Sequence, residues 1–202
     1  MENPIRKYVI DLQKTLDLLP MQSIYDVIQV LHNARLRKQQ LFVLGNGGSA
    51  STASHIVCDL AKNTHVVGVP PIRILDMIDN SAVFSAYAND EGYENVFAQH
   101  LSNFANSGDV VIGISTSGKS PNVLRAIDRA NQLGAVTIGF TGFDGGQLLG
   151  LASMNIHIES DNIEQVEDIH LILGHIITVN LRNLAVESVS KKNGQYAAVN
   201  LF

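Results

Sequence analysis

The stretch GDVVIGISTSGKSPN, residues 108–122, decides how this chain is read. Its first half is a run of β-branched apolar residues. Its second half is a turn of glycines and hydroxyls that stops at a proline. Letter for letter, Gly113–Ser120 satisfies the G-x-x-x-x-G-K-S/T pattern of a nucleotide P-loop, in which Lys and Ser sit in the first helical turn. Pro121 argues against that reading. A residue before proline is pushed out of the α region, and proline suits the first helical position. Ser120 is therefore expected as the N-cap and Pro121 as the first helical residue, which leaves Gly118 and Lys119 in the loop, one step too early. Ser115, Thr116, Ser117 and Ser120 put four hydroxyls into the turn. A strand, a hydroxyl-rich turn and a helix N-terminus suit a phosphate monoester held by O–H and N–H groups. An ordinary polar turn between a strand and a helix remains the alternative.

A second turn strengthens the first. Residues 45–49, Gly-Asn-Gly-Gly-Ser, follow the apolar run LFVL and open a helix. As a dinucleotide fingerprint this turn fails, because Ala50 stands where the third glycine belongs. Ser49 is available to cap the helix or to bind an anion. Two such turns at the ends of parallel strands point to one ligand edge.

Around these turns, short strand-like runs alternate with amphipathic segments. Strands are expected at 41–44, 72–75, 109–114, 135–140 and 154–158. Helices are expected at about 49–62, 80–88, 94–106, 121–133, 144–151 and 163–188. Residues 4–38 carry helix-period apolar positions broken near Leu19 and Pro20, a helical hairpin of the kind that often serves as an oligomer interface. The reading is a single three-layer α/β domain, a parallel sheet with helices on both faces. Residues 1–38 form its N-terminal helices and 39–190 its core.

Composition narrows the functions. The chain has 202 residues, 46% of them hydrophobic, a net charge of −5 and one cysteine, Cys58. That content can bury one full core. No basic cluster is present to neutralise a nucleic-acid backbone, so a nucleic-acid partner is not expected. No apolar run is read as a membrane span, MENPIRKYVIDLQK does not read as a signal peptide, and a reducing cytoplasm is the expected compartment. Phe42, Cys58 and the leucines of the last helix are read as core.

The motifs GNGGSA (45–50), ANDEGYENVF (88–97), GISTSGKSPNV (113–123), TGFDGG (141–146) and VEDIHLILGH (166–175) resemble the sugar isomerase (SIS) domain family, and within it the phosphoheptose isomerases. The resemblance implies a flavodoxin-like sheet assembled as a homotetramer with active sites at subunit interfaces. It implies a phosphosugar ligand, with the phosphate on Ser115, Thr116, Ser117 and Ser120, and with Asn46, Gly47, Ser49, Asp90 and Glu167 as further contacts. It also implies a Zn²⁺ site at His55, Asp59, Glu167 and His175. The implied reaction is aldose–ketose isomerisation through a cis-enediolate, sedoheptulose 7-phosphate to a manno-heptose 7-phosphate, with Asp59, Glu167 and His175 as catalytic candidates. His170 matches a further family histidine and is expected to be structural.

Spacing adds a physical reading of these residues. His55 and Asp59 share a helix face at i, i+4, which suits two ligands of one metal or a histidine oriented by a carboxylate. Glu167 lies about 80° from His175 on an ideal wheel and two turns along, so the two reach one point only in a groove beside the helix or across subunits. The family pattern has Glu at position 59 and Gln at 167. Asp59 is shorter by about 1.5 Å, one C–C bond, so either Asp59 remains the base or Glu167 takes over part of that role. Where the family has Arg after this carboxylate, the chain has Lys62-Asn63. A sensor or adaptor built on the same domain is the alternative function, and a pure adaptor has no need for His55, Asp59 and His175 together.

Overall fold

The computed structural model describes residues 3–193. Two helices lead, α1 (Pro4–Asp17) and α2 (Met21–Leu36), with the break at Leu19-Pro20. Asn3 caps α1 by accepting the Ile5 N–H at 3.0 Å, and Pro4 takes the first helical position, where its missing N–H costs nothing. Then follow β1 (Gln40–Gly45), α3 (Gly48–Lys62), β2 (Arg73–Asp76), α4 (Ser81–Glu91), α5 (Val96–Ser102) and β3 (Val110–Ile114). The chain continues through α6 (Pro121–Gln132), β4 (Val136–Thr141), α7 (Leu148–Leu151), β5 (Met154–His157) and the long α8 (Ile163–Asn193).

All neighbouring strands are parallel, in the order β2-β1-β3-β4-β5, the flavodoxin-like arrangement. Alternate side chains feed two cores. Leu41, Val43, Val110, Ile112 and Ile138 face α2, α3 and α8, whereas Phe42, Leu44 and Val111 face α5, α6 and α7. A parallel sheet covered on both faces needs apolar residues at every strand position, and β3 is buried throughout.

The expected α/β sheet and N-terminal hairpin are both present. Tyr8 ties the hairpin to α8 by donating to Asp168 at 2.6 Å, and that carboxylate pushes the phenol up to about 12. Three details differ from the sequence reading. α7 is a single turn at Leu148–Leu151, because residues 142–147 are held as a loop against the 115–118 turn: Gly142 N–H donates to Thr116 O at 2.8 Å and Leu148 N–H to Gly118 O at 3.0 Å. Cys58 is exposed and not in the core, since the buried stripe of α3 is Ser49, Thr52, Ala53, Ile56 and Leu60. Finally, α8 is long and apolar enough, by length and composition, to cross a membrane. Its apolar side is already used, with Val166, Ile169, Leu173, Ile177 and Leu181 buried in the first core.

Candidate active site

The sheet order reverses between β1 and β3, so the helices after these two strands leave toward opposite faces and open a crevice at the strand ends. Both glycine-and-hydroxyl turns lie there.

α3 and α8 run side by side in the same direction, which brings their side chains together in sequence order. Gly174 makes this possible. A Cβ at that position would lie 2.7 Å from Ile56 Cγ1, so any side chain there would force Ile56 or the helix spacing to shift. The next residue, His175, consequently reaches the α3 pair. His55 Nε2 and His175 Nε2 are 3.0 Å apart, and Asp59 Oδ2 is 3.6 Å from each. Donors held about 2.0–2.1 Å from a tetrahedral Zn²⁺ are about 3.3 Å apart, and this triangle brackets that spacing. Two imidazoles and a carboxylate are also a zinc-type donor set. Asp59 is only 14% exposed, and its other oxygen accepts the Asn63 side-chain N–H at 2.8 Å. Asn63 thereby turns Oδ2 toward the two histidines.

Glu167 does not join that triangle. Two turns before His175 on α8, its carboxylate lies over Gly48 at the start of α3, where a Cβ would come within 2.5 Å of Oε1. The partial positive charge of a helix N-terminus favours an anion at this position. Among the described residues no hydrogen bond is made to the Glu167 carboxylate. The remaining residues of the first turn are largely committed. Gly47, at φ 54°, is the N-cap of α3, and Ser49 is buried inside the first helical turn instead of capping it. Asn46 exchanges hydrogen bonds with Asn122 and accepts another from Tyr93.

The second turn is arranged differently. Ser120 has the extended N-cap conformation, φ −67° and ψ 114°, with Pro121 as the first residue of α6, so Lys119 and Gly118 lie outside the helix. Ser120 makes no cap bond to its own helix. Its hydroxyl meets that of Ser115 at 3.1 Å, while Ser117 Oγ accepts the Lys119 N–H at 3.3 Å. Ser115 and Thr116 are buried and Ser117 is exposed. Gly118 has φ 63°, and a Cβ there would lie 1.9 Å from Gly145 O, so the turn and the 142–147 loop interlock through glycine. Lys119 pairs with Asp144 at 2.8 Å, which holds that carboxyl below its ordinary range. Asp90 is the penultimate residue of α4, exposed, with its Oδ1 accepting from Asn89.

Comparison with known proteins places the chain. The family model described as SIS domain matches residues 6–142. Phosphoheptose isomerase from Nitratiruptor sp. is 36% identical over 178 residues, covering 86% of this chain and 94% of that protein. The Helicobacter pylori enzyme of the same name is 35% identical over 169 residues, 82% of this chain and 85% of its own. The chain belongs to the SIS domain family, among the phosphoheptose isomerases. The solved structure of a phosphoheptose isomerase from Francisella tularensis superposes with a TM-score of 0.82 at 26% identity, over 89% of this chain and 96% of that one.

Within this SIS domain the fold brings together three of the four expected metal ligands and sets the fourth, Glu167, apart. His170 is wholly buried beneath the site, with Nε2 3.4 Å from Thr141 O, and burial pushes its imidazole down to about 4. Sequence reasoning passed over Asn122 and Tyr93, and met Asn63 only as the position where the family has Arg, without its bond to Asp59. Asn63 was visible as the residue four after Asp59, and Asn122 and Tyr93 lie inside the quoted SIS motifs.

Proposed function

We propose that this chain is an aldose–ketose isomerase that interconverts sedoheptulose 7-phosphate and D-glycero-D-manno-heptose 7-phosphate. The observation that carries the reading is the meeting of His55, Asp59 and His175, with donors 3.0–3.6 Å apart, in the crevice that also holds the hydroxyl turn. Relatives named for this activity align over most of the chain.

In this reading the phosphate sits on Ser115, Thr116, Ser117 and Ser120, at the positive end of the α6 dipole. The open-chain sugar then extends toward the first turn, along Asn46, Gly47 and Glu167, with Asp90 and Ser49 at its margin. His55, Asp59 and His175 would hold a zinc ion, which would supply Lewis-acid polarisation of the carbonyl and stabilise enediolate charge.

The two carboxylates divide the work. Asp59 has one oxygen on Asn63 and the other on the histidines, so it belongs to the metal set, as does His175. Glu167, with no hydrogen bond among the described residues, is the carboxylate free to take a proton. It removes the proton from C1 of the ketose and returns it to C2 while the hydroxyl proton passes from O1 to O2. Two departures from the family pattern, Asp at 59 and Glu at 167, are then one change: the base has moved from α3 to α8.

Glu167→Gln and Asp59→Asn test this together. Glu167→Gln is expected to lose about 10³-fold in turnover of sedoheptulose 7-phosphate with zinc affinity kept. Asp59→Asn is expected to lose zinc affinity. An active Glu167→Gln, beside an inactive but zinc-loaded Asp59→Asn, would return the base to Asp59. A wild type that leaves sedoheptulose 7-phosphate unchanged but isomerises a pentose or hexose phosphate would overturn the substrate.

The same reading makes the protein a cytoplasmic homotetramer with sites at subunit interfaces and residues 1–38 in the contact. Ile5 (76% exposed), Val9, Met21 and Tyr25 on the N-terminal helices supply apolar surface for it.

A further inference from the structure

The side chain of Asn46 sits at the centre of a hydrogen-bond relay whose direction can be worked out from one end. Val123 N–H, a backbone group that can only donate, points to Asn122 Oδ1 at 3.0 Å. That identifies the oxygen of Asn122, a residue only 1% exposed. Asn122 Oδ1 also accepts from Asn46 Nδ2 at 2.8 Å, and Asn122 Nδ2 donates to Asn46 Oδ1 at 2.9 Å. Tyr93 then donates its hydroxyl to the same Asn46 Oδ1 at 2.8 Å. A side-chain amide has two acceptor lone pairs and two donor hydrogens. Both lone pairs of Asn46 are used, and one N–H remains.

We infer that Asn122 and Tyr93 are positioning residues that set Asn46 as a hydrogen-bond donor, so that the first turn offers a bound sugar one directed N–H at this residue and no acceptor. The partner it selects is an oxygen acceptor, a carbonyl or enediolate oxygen. The relay also links the two turns, because Asn122 lies in the first turn of α6 and Asn46 just before α3. The kinetic part of the test rests on the isomerase reading above.

Tyr93 is 52% exposed and packs its ring edge-on against Phe84, so Tyr93→Phe removes the hydroxyl and keeps the packing. Tyr93→Phe is expected to lower kcat/KM about fivefold, the worth of one hydrogen bond of about 1 kcal/mol, with an unchanged Tm. In an Asn46→Ala background the same change is expected to do nothing further, because Tyr93 acts through Asn46. Additive losses in the double variant, or wild-type kinetics in Tyr93→Phe, would overturn the inference.

A second readout is independent of turnover. In ¹⁵N-labelled protein the side-chain amide signals of Asn46 are expected to shift in Tyr93→Phe, and one Asn122 side-chain proton is expected to exchange slowly with solvent. Unshifted Asn46 signals would overturn the relay even for a protein that isomerises sedoheptulose 7-phosphate. Conversely, shifted signals without turnover would leave the relay standing and remove the isomerase reading.

Discussion

The β1–α3 turn and the β3–α6 turn look alike in sequence, each a cluster of glycine and hydroxyl residues between a parallel strand and a helix. They differ in what the rest of the chain lays over them. The first already carries an anion: the Glu167 carboxylate lies over Gly48. Its asparagine is bonded on both sides and its serine is buried. The second carries hydroxyls that meet one another instead of capping α6, with Lys119 drawn aside to Asp144. In the proposed reading a phosphate dianion is repelled by the first turn and accepted by the second. That reading leaves the first for the neutral, reacting end of the sugar. Two similar motifs thus have different surroundings because helix α8 crosses one of them.

The strongest way to break this contrast is to make the second turn resemble the first. Ser120→Asp places a carboxylate among the hydroxyls proposed to hold the phosphate, removing one donor and adding like-charge repulsion. A loss of roughly 10³-fold in kcat/KM is expected, nearly all of it in KM, while zinc binding measured by chelator competition is unchanged. A variant with wild-type KM would mean the phosphate binds elsewhere.

Acid tests the helix that makes the two turns different. His170 follows Glu167 by three residues on α8 and is held neutral by burial, with its pKa lowered from 6.5 to about 4. A histidine whose folded pKa lies below its unfolded value binds fewer protons folded than unfolded in that interval. Stability is therefore complete above about pH 6.5 and declines as pH falls toward 4, by on the order of 3 kcal/mol in all. Denaturant unfolding at pH 7 and pH 4.5, in wild type and His170→Leu, isolates this contribution. The variant is expected to show a shallower decline, and equal slopes would remove His170 as the cause.

A smaller effect is expected from the interlock under the second turn. Gly118→Ala puts a side chain at φ 63° and against Gly145 O, at a cost of about 2 kcal/mol in denaturant unfolding, with a raised KM. Smaller still is Asn63→Ala, which leaves every candidate ligand in place and frees Asp59 Oδ1. Zinc affinity is expected to fall about tenfold, the scale of losing an outer hydrogen-bond partner of a ligand, with turnover at saturating zinc retained.

Much of the fold was readable along the chain. Pro121 after Ser120 placed the start of α6 and excluded the nucleotide P-loop, and Leu19-Pro20 broke the N-terminal helices where the structure breaks them. Apolar runs marked the central strands β1, β3 and β4 most clearly, because a strand buried on both faces leaves few polar positions, whereas the edge strands β2 and β5 carry Arg73, Asp76, Asn155 and His157. The site was legible only in part. His55 and Asp59 share a helix face by local geometry, so their pairing follows from spacing. Whether Glu167 or His175 meets them depends on how closely α8 lies on α3, a distance set by Gly174 and Ile56 through tertiary packing. The burial of Ser49 and the exposure of Cys58 depend on the same packing, because both follow from which face of α3 turns inward. The orientation of Asn46 is likewise settled by Asn122, a residue 76 positions away.

Isomerisation in this crevice is tested by incubating the zinc-supplemented protein with sedoheptulose 7-phosphate in D₂O and following it by proton NMR. New aldose anomeric signals are expected, with deuterium at C2, the carbon next to the new carbonyl, and they are expected to disappear in Glu167→Gln. Unchanged ketose signals from protein with zinc demonstrably bound would contradict isomerisation here.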